Sequence, residues 1–416
     1  MNSSDFNEKI ASEKAYQWNN ELDQQKYQFG YDVLGPILVE CCIVLYEYLR
    51  TNVSAHTPVL YCSRGGLLIR RALDLFLTQT GRTLDMPMAD VMLSRLASAR
   101  LALQLAPDDV EPMLELEFAG RSCAEVAIAL TGKKIDLGDE WNQDYSLASL
   151  KHLLHQSAQG KRIHSEMLKQ ADLLREHILR VSGGSKKIVL VDTGVFGSIG
   201  HFLTVGLPNT EIQSVLLFKA NYKAHAGLTL PKSEGLVCCD NDYVPWKARS
   251  VFRLYWPFIE AFFEPDLPSV KRYRFTPEGE VSSNLQVPNW QNLLITPGNP
   301  LRLGAFDYLG TIGSYSADSR RYYASVAWKN LKRRIVFPSK QDVNILKVDQ
   351  RCVDFGFEEY FSVGLCTANV KLVDKLNSVR NSMWPEGEIR SEFGFSAMVW
   401  LSLLEASRIV KCILRF

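Results

Sequence analysis

The stretch from Lys187 to Gly200, K-I-V-L-V-D-T-G-V-F-G-S-I-G, constrains this chain more than any other. Ile188 to Val191 is a short run of mostly β-branched apolar residues, the pattern of a strand buried on both faces in a parallel sheet. Asp192 is expected to end that strand. Thr193, Gly194, Gly197 and Ser198 then read as a small hydroxyl-bearing turn, and Ile199 to Leu207 as the helix that follows. Such a turn aims several backbone N–H groups at one point at a helix N-terminus, where an anion gains hydrogen bonds and the positive end of the dipole. A plainer reading stands beside it, in which Asp192 caps the helix and satisfies its free N–H groups.

Pro58 to Leu75 repeats the grammar: an apolar strand from Val59 to Cys62, a tight polar turn of Ser63, Arg64, Gly65 and Gly66, then an amphipathic helix. Two such turns at strand C-terminal ends are what an open α/β sheet needs for a ligand crevice. Arg64 adds a permanent cation whose planar fork suits phosphate oxygens; as a surface residue it would only pair locally. A third strand-like run, Met88 to Leu93, ends in Ser94-Arg95 and offers Arg95 to the same crevice.

Composition sets outer limits. The chain has 416 residues, 46% hydrophobic and 22% charged, enough for roughly two or three structural units. A net charge of +1 gives no global case for nucleic acid, so any anion site must be local. Nine cysteines, with adjacent pairs at Cys41-Cys42 and Cys238-Cys239, show neither zinc spacing nor a disulfide framework and suit a reducing cytoplasm. The first residues lack the basic-then-apolar order of a secretory signal, and Glu40 and Glu47 interrupt the apolar run at Ile37 to Tyr48. The expectation is a soluble cytoplasmic protein.

Three regions follow: an N-terminal helical segment at 1–55, an α/β core at 56–285 with a helical insertion at about 96–182, and a mostly helical region at 286–416. Gly183-Gly184-Ser185 breaks the inserted helices before the central strand. Ile212 to Phe218 and Gly235 to Cys239 read as further strands, and Pro288 to Pro300 as a linker. Within the aromatic-rich run at 253–270, Glu260 and Glu264 lie four apart and are expected to share a helix face, either for acid/base chemistry or as a solvated acidic edge. Phe395 to Phe416 reads as a helix with Arg408, Lys411 and Arg415 near its end, suited to lie on an anionic membrane surface or to pack on the core.

With these residues in view, C-S-R-G-G and V-L-V-D-T-G-V-F-G-S resemble the pyrophosphate and 5-phosphate loops of type I phosphoribosyltransferases. The order of motifs is similar to the phosphoribosyltransferase-like ribofuranosyl transferases of bacterial O-antigen and capsule assembly, often found with a haloacid-dehalogenase-type phosphatase. The resemblance spans roughly residues 58 to 390 and rests also on L-S-R at 93–95, I-E-x-F-F-x-P-x-x-P-S-V at 259–270, F-P-S-K at 337–340 and W-P-E-G at 384–387. It implies a parallel sheet of the type I phosphoribosyltransferase kind, flanked by helices.

The resemblance further implies a glycosyltransferase that moves a 5-phosphoribosyl group from 5-phosphoribosyl-1-pyrophosphate (PRPP), with Mg²⁺, to a sugar hydroxyl of a surface glycan, the acceptor being lipid-linked. Thr193, Gly194, Gly197 and Ser198 would hold the 5-phosphate; Ser63, Arg64, Gly65, Gly66 and Arg95 would hold the pyrophosphate; Asp192 would accept from the ribose hydroxyls. One departure stands out: ordinary family members present two adjacent acids where this chain has Val191-Asp192. Glu260, Glu264 and Asp240 are candidates for the general base, and no protein ligand is assigned to the metal. A single base opposite the pyrophosphate gives inversion and a β-linkage, and a separate partner phosphatase would remove the 5-phosphate, since no D-x-D-x-T-like motif occurs here. Two other classes remain open: an actin-like ATP-dependent sugar kinase, which expects a D-x-G turn in each of two similar halves, and a non-catalytic scaffold of a glycan assembly complex.

Overall fold

The structure, a computed structural model, describes residues 20–221, 227–229, 231–265, 267–286, 290, 299–352, 355, 360–363 and 371–414, with backbone alone at 349–352 and 360–363. The linker expected at Pro288 to Pro300 lies mostly outside the described residues.

The chain opens with α1 (Glu21–Phe29) and α2 (Gly35–Asn52), joined by a π-helical turn at Gly30–Leu34. Together they are long and apolar enough to cross a membrane by length and composition, against the sequence expectation, but 72% of the most apolar window is buried inside the fold. Then come β1 (Val59–Cys62), α3 (Gly65–Thr80) and β2 (Met88–Val91). The insertion follows as α4 (Arg95–Leu105), α5 (Pro107–Glu117), α6 (Cys123–Thr131), α7 (Leu147–Gln156) and α8 (Ala158–Val181). Serines start four of these helices: Ser94, Ser122, Ser146 and Ser157 each accept a backbone N–H of the first turn. Gly183 and Gly184, with φ of 61° and 71°, release the chain from α8 into the sheet.

The core continues with β3 (Lys187–Val195), α9 (Ser198–Gly206), β4 (Glu211–Lys219), β5 (Glu234–Cys238) and α10 (Trp256–Phe263), followed by a hairpin of β6 (Tyr273–Phe275) and β7 (Val281–Ser283). The C-terminal region holds α11 (Pro300–Thr311), α12 (Ala317–Val336), α13 (Lys340–Leu346), α14 (Leu372–Asn381), α15 (Pro385–Glu392) and α16 (Ala397–Ile413). Its helical reading missed a short antiparallel pair, β8 (Val348–Cys352) and β9 (Tyr360–Val363).

The five core strands form one all-parallel sheet in the order β2-β1-β3-β4-β5. In that order the chain moves outward from β1 to β2 and, in the other direction, from β3 through β4 to β5. Right-handed crossovers then place α3 and α9 on opposite faces. One face carries α4, α8 and α9; the other carries α2 and α3, backed by α11 and α12. Two glycines let the outer layer close: a Cβ on Gly304 would stand 2.1 Å from the carbonyl of Tyr27, and one on Gly30 2.1 Å from that of Leu301. The N-terminal helices are thereby clamped to α11, and one hydrophobic core runs from Phe29 to Trp384. The insertion adds a second cluster around Trp141, Phe118 and Leu130.

Candidate functional site

Between β1 and β3 the direction of the sheet reverses, and their C-terminal ends separate to leave a crevice, the usual ligand position in an open parallel sheet. A cleft of about 440 Å³ lies there, lined by Ser63 to Gly65 after β1, by Thr193 to Gly200 at the end of β3, by Arg95 and Glu117, and by Glu260, Glu264 and Ser269. Of the site residues expected from the sequence, all but Gly66 and the base candidate Asp240 line it. That carboxylate accepts from Lys247 Nζ at 3.0 Å and borders a separate surface hollow beside β5, so it is removed as a base for this site.

Strand β3 corrects the expected turn. Pairing with β4 continues past Asp192, through Gly194 opposite Phe218 and Val195 opposite Lys219, so Asp192 and Thr193 sit within the strand and the turn is Phe196-Gly197. The neighbouring backbone makes this possible. A Cβ on Gly194, where φ is 129°, would meet the Phe218 carbonyl oxygen at 2.0 Å. Gly197 caps α9 with φ of 87°, yet a Cβ there would find only ordinary contacts at 3.5 Å. Its glycine is needed for conformation, not for space.

Asp192 does not cap α9. Its Oδ1 accepts the N–H of Thr193 at 2.8 Å, and the rest of the carboxylate faces the cleft, half-buried. Burial, the largest cause, pushes its pKa up to about 7; the Thr193 N–H opposes it next in size, the charges of Glu260 and Glu264 add to the rise, and Arg64 opposes it least. Thr193 beside it is buried, and its hydroxyl has no hydrogen-bond partner. An unpartnered buried hydroxyl in a cleft wall is an unmet demand that a polar ligand would satisfy.

The loop after β1 is organised differently. Ser63 Oγ donates to the carbonyl of Leu93 and accepts the Leu93 N–H at 3.1 Å, tying this loop to the end of β2. Its hydroxyl is therefore engaged with backbone, although Ser63 lines the cleft as expected. Arg64 precedes α3 with φ of 72° and ψ of −105°, a conformation uncommon for a residue with a side chain. Its guanidinium reaches Glu264 Oε1 at 2.6 Å and Ser269 Oγ at 2.9 Å. Gly65 and Gly66 serve close packing: a Cβ on Gly65 would fall 1.9 Å from Thr193 Oγ1, and one on Gly66 2.8 Å from the Val191 carbonyl. Gly66 thus lies against strand backbone outside the cleft lining, contrary to the expectation that it holds an anion.

Helix α10 ends at Phe263 with Glu264 as its C-terminal cap at φ −88° and ψ 115°; the Glu264 N–H still bonds the Glu260 carbonyl at 2.9 Å, and both carboxylates line the cleft, in keeping with their spacing of four. Arg302, buried at the start of α11, fixes that turn by donating to the carbonyls of Ala261, Phe262 (3.0 Å) and Glu264. Sequence reasoning missed Arg302, since nothing local connects it to α10. It also missed Glu117, whose Oε1 lies 3.1 Å from Arg95 Nη1. Ser269 stood inside a quoted motif, so its signal was available. Two other motifs are structural: Ser339 of F-P-S-K begins α13 in a capping box with Asp342, and Trp384 of W-P-E-G is buried and stacks on Tyr255 at 4.6 Å.

The cleft thus holds four carboxylates, Glu117, Asp192, Glu260 and Glu264, against two guanidiniums, each paired with one of those acids. Among the described residues no group of three His, Cys, Asp or Glu side chains converges as a ready metal site. No protein-family model matches the sequence, and no curated protein does either.

Proposed function

We propose that this chain is a PRPP-dependent glycosyltransferase with a sheet of the type I phosphoribosyltransferase kind, which transfers a 5-phosphoribosyl group to a sugar hydroxyl of a bacterial glycan. The observation that carries the reading is the meeting of two strand-end loops at the β1/β3 switch point, with the unpartnered Thr193 hydroxyl and the Asp192 carboxylate in one wall. Phe196-Gly197 and the first N–H groups of α9 receive the 5-phosphate at the helix N-terminus, with Ser198 beside them. Asp192 faces the ribose, where its charge stabilises the cation that develops as the anomeric bond breaks.

Arg64 and Arg95 receive the pyrophosphate by exchanging Glu264 and Glu117 for phosphate oxygens. That exchange releases Glu264 in the cleft, and Glu264 or Glu260 takes the proton of the attacking hydroxyl. Carboxylates in excess, close enough to raise the pKa of Asp192, suit a divalent cation; Asp192 and Glu260 are the side chains that would help to hold it. Bound Mg²⁺ would supply charge to offset the departing pyrophosphate. Attack opposite the leaving group inverts the anomeric centre, and a separate phosphatase finishes the product.

The actin-like kinase reading is disfavoured because both loops lie on the same five-stranded sheet, whereas such kinases need a phosphate turn in each of two similar halves. The scaffold reading has no use for Thr193 or for the raised pKa of Asp192. PRPP with Mg²⁺ should raise the melting temperature by mass action, and incubation with synthetic acceptor glycans should yield a phosphopentosyl adduct by mass spectrometry. Stabilisation by ATP and not by PRPP would replace this reading with the kinase; indifference to both would favour the scaffold.

A further inference from the structure

The C-terminal helices turn their charges in an unusual way. Between Lys371 and Leu414 the acids are Asp374, Glu386, Glu388, Glu392 and Glu405, and all but Asp374 are buried. Glu386 bonds Arg408, Glu405 accepts from the Tyr243 hydroxyl at 2.7 Å, Glu388 accepts from Ser378, and Glu392 pairs with Lys375 at 3.7 Å. Arg408, which the sequence left either at a membrane surface or beside the core, is thus directed inward, and Arg415 lies outside the described residues. Lys371, Arg380 and Lys411 remain exposed.

The apolar residues do the reverse. Helix α16 packs on the body through Ala397, Leu401 and Glu405, while Val399, Leu403, Ala406, Val410 and Ile413 form an exposed stripe along its other side. Phe395 is fully exposed ahead of it and Leu414 is 79% exposed after it. Leu372, Val373 and Leu376 are exposed on α14. The two helices are neighbours: Val379 of α14 packs on the small core of Ala397 and Leu401, and Phe393 bridges Lys375 (5.8 Å) and Trp400 (5.3 Å). Met383, two residues beyond α14, lines the cleft. An apolar surface of this extent on a water-facing protein marks an interaction site.

We propose that α14 and α16 dock this protein on an anionic lipid bilayer, with the cleft opening beside the membrane surface. Apolar side chains that include Phe395 and Trp400 enter the headgroup boundary, and Lys371, Arg380 and Lys411 meet lipid phosphates. A second copy of the chain fits less well. It would bring the same cations to the seam; Asp374 on α14 is the exposed acid of these two helices, and the positions flanking the stripe on α16, Trp400, Ser402, Ser407 and Ile409, add none, so the cations of each copy would outnumber the acids facing them.

The full chain should pellet with vesicles of phosphatidylcholine and phosphatidylglycerol, and far less with phosphatidylcholine alone. Leu403→Ser combined with Val410→Ser should weaken that binding about tenfold or more, since two large side chains leave the apolar face. Lys371→Glu combined with Lys411→Glu should erase the preference for phosphatidylglycerol. All these positions are exposed, and circular dichroism of each variant should match the parent. Absence of pelleting at low salt, or pelleting that neither variant changes, overturns the proposal. So does a dimer in light scattering that the Leu403/Val410 variant dissociates, which would assign the face to a second copy. Vesicle binding needs no transfer reaction, so this result and that of the PRPP assay stand apart.

Discussion

The two loops that meet at the cleft share a sequence grammar but not a physical state. The loop after β1 is already satisfied: Ser63 is locked to Leu93, and Arg64 is held by Glu264 and Ser269. The loop after β3 carries an unpartnered Thr193 hydroxyl and a carboxylate of raised pKa, and leads into an open helix N-terminus. A site built this way has one wall that waits for a ligand and one that must exchange an internal partner for it. The first contributes affinity directly; the second makes binding conditional on a ligand charged enough to displace a carboxylate.

The largest expected effect tests the wall formed by β3. Gly194→Ala puts a Cβ against the Phe218 carbonyl between paired strands and demands a left-handed φ, so a loss of about 3 kcal/mol or more is expected in denaturant unfolding. A near-native midpoint would mean that β3 does not continue past Asp192.

Asp192→Asn comes next. Loss of one charge-assisted contact should lower transfer by about ten- to a hundredfold, roughly 1.5–3 kcal/mol. In the metal-free parent Asp192 should titrate near 7 by NMR, and Mg²⁺ held beside it should move that titration to lower pH, a response that the variant should lack. Stability is tied to the same proton. The native state binds this proton more tightly than the unfolded chain, so the stabilising contribution is complete below the ordinary aspartate range and is lost as pH rises through about 7. The variant should therefore be more stable than the parent at pH 8, by on the order of 2 kcal/mol after discounting for the edge open to the cleft. Equal stabilities at that pH would place Asp192 in water.

Thr193→Val keeps shape and removes the waiting hydroxyl. Donor affinity by calorimetry should fall about tenfold, near 1.4 kcal/mol, with folding stability unchanged or slightly raised. Unchanged affinity would show that the two walls do not differ as described. Glu264→Gln probes the other wall at the smallest scale. With no carboxylate to displace from Arg64, donor binding should tighten by about three- to tenfold while turnover drops if Glu264 takes the proton. Weaker binding would make the ion pair a support and not a latch.

Much of the sheet was legible because apolar β-branched runs and their punctuation are local: Val59 to Cys62, Ile212 to Phe218 and Gly235 to Cys239 all became strands within a residue or so. The end of β3 was not. D-T-G reads as a turn by composition, and only pairing with Phe218 and Lys219 keeps Thr193 and Gly194 in the strand. Glu260 and Glu264 kept the helical spacing that the sequence suggested, but that Arg302 from another helix holds the carbonyls at this helix end was not legible locally.

Sequence alone determined that two strand–turn–helix units exist and which small, hydroxylated and charged residues they carry, since strand burial, helix starts and glycine conformations depend on neighbours along the chain. Tertiary structure decided which of those residues are available. Gly65 and Gly66 became packing contacts because α3 lies against β1 and β3, Ser63 was taken by Leu93, and Asp240 fell outside the cleft. The pKa of Asp192 rose because burial and two acids from a distant segment surround it. Desolvation and through-space charge depend on what folding brings near, and no local pattern encodes that.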